Sequence, residues 1–201
     1  MYRLVAWIIG YMFGGIQSAI LYGKIKGIDI KKHGSGNAGA TNTLRVLGKK
    51  AGLIVFLCDF FKCVLAIIIT TALFDEQTLI VALYTGIGAI LGHSYPIFFG
   101  FKGGKGIAVS VGMLFALDIR IGCIAGLVFI ITCIITKIVS ISSLMMTASI
   151  PILIGIFSSH YTYKIEAIIL GCVVFAVTAF RHSENIKRII NGTELKIVSK
   201  K

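Results

Sequence analysis

The sequence has few charged residues and little proline. Charged residues make up 14% of the 201 residues, against roughly 25% in an ordinary soluble domain, and only two residues are proline. With 57% hydrophobic residues, this composition excludes a disordered chain and does not suit a water-soluble globule. The 23 glycines suit helices that pack closely in lipid. The composition therefore predicts an all-α, polytopic integral membrane protein.

The cysteines lack the pattern of a disulfide framework or a zinc site. They are odd in number, contain no C-x-x-C arrangement and fall inside apolar segments. We therefore expect buried free thiols, and neither a metal site nor a cofactor. The cysteines are Cys58, Cys63, Cys123, Cys133 and Cys172.

Seven apolar segments are candidates for spanning helices. A bilayer core of about 30 Å needs roughly 20 apolar residues in a helix, and the first two segments meet this length. Asp118 and Arg120 divide residues 107–136 into two segments, because one helix of that length would measure roughly 45 Å and exceed a single crossing. Residues 1–201 are expected to form a single membrane-embedded domain. The predicted spans are Leu4–Gly23, Gly52–Phe74, Leu79–Leu91, Ile107–Leu117, Ile119–Thr136, Leu144–Phe157 and Ile165–Phe180.

The basic residues predict the orientation of the chain. Sixteen of the 20 lysines and arginines lie in segments on one side of the seven predicted spans, and three lie on the other side. Because cytoplasmic segments carry the excess of Lys and Arg, we expect the N-terminus outside, the C-terminus in the cytoplasm and the acidic turn Asp75–Glu76 outside. Since the basic residues lie between apolar segments, the net charge of +12 does not indicate nucleic-acid binding.

The first polar segment on the predicted cytoplasmic side has the composition of a phosphate-binding loop. Its glycines allow backbone N–H groups to converge on an anion, and its polar side chains supply further hydrogen bonds. Arg45 adds a two-pronged phosphate contact. The glycine spacing also fits GxGxxG, but that fingerprint needs a preceding buried strand, and here a basic stretch precedes it. The alternative is a flexible glycine loop. The candidate residues are Ser35, Gly36, Asn37, Thr41, Asn42 and Arg45.

The second polar segment, residues 92–106, places two lysines within a glycine run directly before an expected helix. Lysine charge and the free N–H groups of a helix start together suit an anion. The run is not a Walker A loop, because Gly106 stands where Ser or Thr would hold magnesium. Each lysine could instead be an ordinary basic residue at the membrane surface, and the histidine could merely cap a helix end. The candidate residues are His93, Lys102, Gly103, Gly104 and Lys105.

The third polar segment follows the seventh predicted span. His182 and Asn185 are three residues apart, so on a helix that continues from this span they share one face. Three isoleucines give the same stretch an apolar stripe, which suits a helix at the membrane surface. The alternative is an amphipathic anchor with an incidental histidine.

Two further polar features lie outside these segments. Ser143 belongs to the remaining inner turn, together with Ser140, and is a candidate substrate contact, although such serines more often bond to their own backbone. Asp59 and Lys62 are three residues apart within the second span, which favours a buried structural pair.

The three segments together resemble the motifs of the bacterial membrane acyl-phosphate:glycerol-3-phosphate acyltransferases, the PlsY family. Residues 34–45, GSGNAGATNTLR, are similar to the first motif, and residues 92–106, GHSYPIFFGFKGGKG, to the second. HSENIKR at 182–188 with GTE at 192–194 is similar to the third, and Ile190 departs from it where leucine is expected. The resemblance covers nearly the whole chain.

The resemblance implies transfer of a fatty acyl group from acyl phosphate to the 1-hydroxyl of glycerol 3-phosphate. The products are 1-acylglycerol 3-phosphate and inorganic phosphate, and the reaction is the first acylation of phospholipid synthesis. The implied place is the bacterial cytoplasmic (inner) membrane, with the active site facing the cytoplasm. Glycerol 3-phosphate, acyl phosphate, membrane lipid and the soluble enzyme that makes acyl phosphate are the implied partners, with no nucleic acid.

The catalytic residues expected for this reaction are Ser35, Lys105 and His182. Both substrates carry phosphate, so Lys105 and Arg45 are expected to stabilise phosphate and the developing oxyanion. Acyl phosphate is already activated, so a strong base is less necessary, and His182 or a substrate phosphate oxygen takes the hydroxyl proton. No base lies beside Ser35 in the sequence, which favours direct attack over an acylated serine.

Two other classes of protein compete with this interpretation. A transporter for a phosphorylated solute would also need cationic, glycine-broken segments in a helical bundle. Transporters place such residues near the bilayer midplane in repeated halves, whereas here they are predicted at one membrane face and without a repeat. A purely structural scaffold would leave the density of polar motifs unexplained.

Overall fold

The computed structural model describes residues 1–74, 78–158 and 162–197. Within these ranges the regular structure is helical and contains no strand. The helices are α1 (Tyr2–Gly14), α2 (Ser18–Ile25), α3 (Ala40–Leu73), α4 (Thr78–Ser94), α5 (Ile107–Leu117), α6 (Ile119–Thr136), α7 (Val139–Phe157), α8 (Lys164–Arg181) and α9 (Ser183–Ile190).

The outer surface of the helices is apolar. α6 has a mean hydropathy of 2.4, yet only 17% of its apolar window is buried inside the protein, so most of its side chains must face lipid. Five helical stretches in the described residues are long and apolar enough to cross a bilayer, and α8 with α9 would make a sixth if taken together. The predicted all-α membrane class is confirmed, while α5, with 11 residues, is shorter than the roughly 20 residues of a full-length spanning helix.

Six of the seven predicted apolar segments each correspond to one helix, and the first corresponds to two. The predicted division of residues 107–136 is also present, because α5 ends at Leu117 and α6 begins at Ile119. Asp118 caps α6, since its carboxylate accepts a hydrogen bond from the Arg120 backbone N–H at 2.8 Å. The number of crossings and the orientation stay predictions, and Asp75–Glu76 lies outside the described residues.

α1 and α4 pack through glycines. A side chain at Gly10 would place its Cβ 2.0 Å from the Thr85 carbonyl oxygen, and one at Gly88 would place it 2.1 Å from the Trp7 carbonyl oxygen. Such distances are far below contact, so the two backbones approach closely only because these positions lack a Cβ. The N-terminal helix is therefore held against the centre of the bundle.

The first predicted span, Leu4–Gly23, is wrong as a single helix, because α1 ends at Gly14 and α2 begins at Ser18. The break frees backbone groups, and a lysine of another helix satisfies one of them. Lys62 Nζ donates to the Ile16 carbonyl oxygen at 2.6 Å. Gln17, within the break, donates through Nε2 to the His93 carbonyl oxygen at 3.1 Å and so connects the break to α4.

α3 begins well before the predicted span Gly52–Phe74. It starts at Ala40, and Gly48, with φ of 86°, interrupts its helical geometry. Part of the first polar segment is therefore the first turn of a helix and not a loop, which places Thr41 and Arg45 on that helix.

The expectation of buried cysteines is wrong for most of them. Only Cys63 is buried, Cys133 is partly buried, and Cys58, Cys123 and Cys172 lie on the outer surface of the protein. Apolar sequence around a residue indicates burial from water, but in a membrane protein lipid provides that burial as well as protein does.

Candidate active site

A cavity of about 570 Å³ lies where the three polar segments meet. The first residues of α3 and of α5 both line it, so two helix N-termini face the same space. The first N–H groups of each helix lack intrahelical partners and carry partial positive charge. Arg45 and Lys105 add full charges. The cavity is thus positively charged from two directions.

Most residues predicted from the three motifs reach this cavity. Gly36, Lys102, Gly103 and Gly104 do not line it, and Lys102 is exposed. The predicted residues that line it are Ser35, Asn37, Thr41, Asn42, Arg45, His93, Lys105, Ser143, His182 and Asn185.

The side-chain amide of Asn42 forms hydrogen bonds with backbone groups in and before the loop of the first motif. Its Oδ1 accepts a hydrogen bond from the Ser35 backbone N–H at 2.7 Å, and its Nδ2 donates to the carbonyl oxygens of Ile30 and His33, both at 3.0 Å. These bonds shape the loop of the first motif, and the substrate contact expected for Asn42 stays a prediction. The Ser35 hydroxyl has no hydrogen-bond partner within the described ranges, so no base activates it there.

The glycines of the second motif form a support beneath Lys105. The N–H groups of Gly103 and Gly104 donate to the carbonyl oxygens of Ser94 and His93, at 3.2 and 3.1 Å. Arg181 donates to the carbonyl oxygens of both glycines, at 3.1 and 3.0 Å. A Cβ at position 103 would lie 1.9 Å from the His93 carbonyl oxygen, so a larger residue cannot take this path.

A polar network joins the second and third motifs. Lys105 Nζ donates to Asn185 Oδ1, and Asn185 Nδ2 donates to Glu194 Oε1. Glu194 also accepts from Ser140 Oγ at 2.8 Å and from Arg188 Nε at 2.7 Å. Partial burial raises the pKa of Glu194, but the hydrogen bonds from its three partners outweigh this and hold the pKa below its usual value.

The surroundings of Lys105 lower the pKa of its ammonium group. Burial lowers the pKa of Lys105 to about 8, the nearby arginines add to this, and the charge of Glu194 opposes it. Lys105 is therefore mostly protonated at neutral pH and serves as a cation in the cavity.

His182 lies at the junction of α8 and α9, which meet at 63°. The expected straight helix through His182 and Asn185 is wrong, although the bend still brings both residues to the cavity. His182 Nδ1 lies 2.8 Å from the Thr178 carbonyl oxygen, which can only accept, so Nδ1 carries the hydrogen and Nε2 is unprotonated. Burial, with the Lys105 charge second, lowers the pKa of His182 to about 4.

One wall of the cavity is apolar. Phe56, Ile107, Phe129 and Val139 come from α3, α5, α6 and α7. Ser143 lies beside them, and its hydroxyl donates to the Val139 carbonyl oxygen at 2.9 Å, the bond to its own helix that is usual for membrane serines. A cationic part next to an apolar wall suits a ligand with an anionic head and a hydrocarbon chain.

The sequence interpretation missed two residues that organise the site. Glu194 stands in the third motif, but the sequence interpretation assigned it no role. It is one of only eight acidic residues in a basic chain, and that rarity is a signal for a role in the site. Arg181 was counted among the basic residues, and no local pattern shows that it binds the Gly103 and Gly104 carbonyls.

Comparisons with known proteins agree on one family. The family model described as glycerol-3-phosphate acyltransferase matches residues 4–192. A glycerol-3-phosphate acyltransferase of Halalkalibacterium halodurans is 39% identical over 201 residues, covering 98% of each chain. One from Aquifex aeolicus is 37% identical over 187 residues, covering 93% of this chain and 95% of that one.

Solved structures also match along nearly the whole length. The crystal structure of PlsY (YgiH), an integral membrane glycerol 3-phosphate acyltransferase, in its glycerol 3-phosphate form has a TM-score of 0.87 and 35% identity. That alignment covers 98% of this chain and 96% of the PlsY chain. The lysophosphatidic acid form of the same protein matches with a TM-score of 0.86 and 35% identity.

Proposed function

This chain belongs to the glycerol-3-phosphate acyltransferase family, and we propose that it transfers a fatty acyl group from acyl phosphate to the 1-hydroxyl of glycerol 3-phosphate. The products are 1-acylglycerol 3-phosphate and inorganic phosphate. The observation that carries the proposal is the single cavity in which two helix N-termini and two cationic side chains adjoin an apolar wall. Such a cavity accommodates two phosphates and one acyl chain.

The reaction is a direct acyl transfer. The 1-hydroxyl oxygen of glycerol 3-phosphate attacks the acyl carbonyl carbon, the bond from that carbon to the phosphate oxygen breaks, and phosphate leaves. Lys105, Arg45 and the first N–H groups of α3 and α5 stabilise the negative charge that develops. Asn37, Thr41 and the Ser35 hydroxyl supply hydrogen bonds at the same cavity.

His182 orients the attacking hydroxyl. Its unprotonated Nε2 accepts a hydrogen bond from the glycerol hydroxyl, which points the oxygen towards the acyl carbon. A conjugate acid with a pKa of about 4 holds a proton weakly at neutral pH. The proton is therefore assigned to an oxygen of the departing phosphate, so that protons balance within the substrates.

The membrane arrangement belongs to the same proposal. Residues 1–201 form one acyltransferase domain with seven crossings, the N-terminus outside and the cavity on the cytoplasmic face of the bacterial inner membrane. The support is the sixteen basic residues on one side of the predicted spans. On that face the cavity is accessible to soluble glycerol 3-phosphate and to the soluble enzyme that supplies acyl phosphate, while its apolar wall receives the acyl chain.

Donor choice tests the proposal. The purified protein in lipid vesicles is given glycerol 3-phosphate with acyl phosphate, acyl-CoA or acyl carrier protein, and 1-acylglycerol 3-phosphate is measured. We expect product from acyl phosphate and none from the other two donors, because the described residues that line the cavity offer anion sites and no adenine-binding feature. Thr70→Val is the matched control, since Thr70 is buried in α3 and bonded to Thr85, and its loss leaves the cavity unchanged. Turnover of acyl-CoA at a comparable rate would overturn the proposal.

A further inference from the structure

A buried charged cluster lies beside the cavity, within the membrane-spanning part of α3 and α4. Lys62 Nζ donates to Asp59 Oδ1 at 2.7 Å and to the Ile16 carbonyl oxygen at 2.6 Å. Its third contact is His93 Nδ1 at 3.0 Å. The side chains of Lys62, Asp59 and His93 are 6%, 1% and 4% exposed. Charged groups at such positions are costly in a membrane and mark functional sites.

These contacts determine the state of the His93 ring. With Asp59 ionised, a protonated Lys62 makes the buried pair neutral, and an ammonium group only donates hydrogen bonds. His93 Nδ1 therefore accepts, and the hydrogen of the neutral ring is on Nε2. Asp59 Oδ1 does not compete for Nδ1, because these atoms are 3.6 Å apart.

The opposite side of the ring faces the first two motifs. A Cβ at Gly104 would lie 2.2 Å from His93 Nε2 and 2.8 Å from the Ala38 carbonyl oxygen. Nε2 is thus placed between the loop of the first motif and the glycines that precede Lys105. His93 and Asp59 both line the cavity. Because Nε2 carries the hydrogen, it is a donor at this place.

We propose that Asp59 and Lys62 are positioning residues that hold His93 in its Nε2–H form, so that His93 donates a hydrogen bond to a phosphate or acyl oxygen in the cavity. This inference rests on the proposed function for the identity of the ligand. The two cavity histidines then have opposite tautomers. His182 presents an unprotonated nitrogen to the hydroxyl, whereas His93 presents an N–H to an anionic oxygen.

The tautomer is measured directly. The wild-type protein is labelled with ¹³C,¹⁵N-histidine, reconstituted in lipid vesicles and studied by solid-state NMR, with the His93 signals identified by their loss in His93→Gln. Ring carbon and nitrogen shifts distinguish the two tautomers. We expect Nε2–H for His93 and Nδ1–H for His182. An Nδ1–H tautomer or a doubly protonated ring at His93 would overturn the inference.

The positioning role is measured by kinetics. Lys62→Met removes the donor to Nδ1, and we expect kcat/KM to fall about 10²-fold, as for a misplaced catalytic contact. Because this variant leaves Asp59 unpaired, the double variant Asp59→Asn with Lys62→Met restores a neutral cluster. If the cluster were only structural, the folded double variant would regain wild-type kcat and KM, which would overturn the inference. We expect it to fold and stay slow.

Replacement of the ring gives a test that does not depend on Lys62. His93→Gln places an amide N–H near the position of Nε2, whereas His93→Met has similar size and no donor. We expect His93→Gln to stay within about tenfold of wild-type kcat/KM and His93→Met to lose about 10²–10³-fold, the effect of removing one donor to an oxyanion. Equal losses in the two variants would overturn the inference.

The proposed function and this inference fail differently. If wild-type protein does not use acyl phosphate, the proposed function fails, and the NMR experiment still reports the His93 tautomer. If wild-type protein is active and Lys62→Met is folded with unchanged kcat and KM, the inference fails and the proposed function stands. Thr70→Val again serves as the control for loss of a buried polar contact in α3.

Discussion

The pKa of Lys105 predicts how activity depends on pH. With a pKa of about 8, Lys105 is about 90% protonated at pH 7, about 10% at pH 9 and about 1% at pH 10. Since only the protonated form is a cation for phosphate, kcat/KM should fall about tenfold from pH 7 to pH 9 and about ninefold more by pH 10. Glycerol 3-phosphate is a dianion throughout this range, because the second pKa of a phosphate monoester is about 6.

Replacement of the lysine isolates its contribution. Arginine stays charged at every pH of the assay, so Lys105→Arg should have a lower activity at pH 7 but lose the alkaline decline. The matched control is Lys102→Arg, since Lys102 is exposed and lies outside the cavity, and this variant should keep the wild-type profile. The assay follows 1-acylglycerol 3-phosphate from pH 6 to pH 10, with a blank for spontaneous hydrolysis of acyl phosphate. Identical profiles for wild type and Lys105→Arg would refute the argument.

Three further predictions follow from the site. Glu194→Gln removes the negative charge that raises the pKa of Lys105, so the alkaline decline of kcat/KM should begin at a lower pH than in wild type, and an unchanged midpoint would contradict this. His182→Gln should raise KM for glycerol 3-phosphate about tenfold with a smaller loss in kcat, and a kcat reduced by several decades at normal KM would contradict the orienting role. The kcat of wild type should show no inflection near pH 6.5, because the pKa of His182 is about 4. In a background without native cysteines, Lys102→Cys should react with a membrane-impermeant thiol reagent only from the cytoplasmic side, and labelling from outside would overturn the topology.

The sequence predicted where the helices are and one of their boundaries, but two breaks were missed. Apolar length gave each of the seven segments, and Asp118 correctly marked the boundary between α5 and α6. The break after Gly14 was not predictable, because the Ile16 carbonyl that it frees is satisfied by Lys62 from another helix. The bend at His182 was missed because the residues on both sides of it form helices and no local signal marks the break.

The candidate site was predicted better as a composition than as a set of individual contacts. Glycine, hydroxyl and amide groups near basic residues indicated an anion site, and most of these residues line one cavity. Sequence could not separate residues that face the ligand from residues that hold the backbone. Asn42 and Arg181 both bind backbone carbonyls, and which amide or guanidinium does so depends on contacts between distant segments.

The charges that line the cavity can be compared with those of the two phosphates that the proposed reaction brings together. Among the described lining residues, Arg45, Lys105 and Arg188 are cations, Glu194 is the carboxylate that faces them, and Asp59 is neutralised by Lys62. The resulting excess is two positive charges, to which the N-termini of α3 and α5 add about half a charge each. Two phosphate dianions together exceed this positive charge, whereas one dianion does not. This imbalance is the same before and after the proposed acyl transfer, so it favours departure of one phosphate in either state. Of the two proposed products, only the inorganic phosphate has no acyl chain against the apolar wall, and we therefore expect it to leave first.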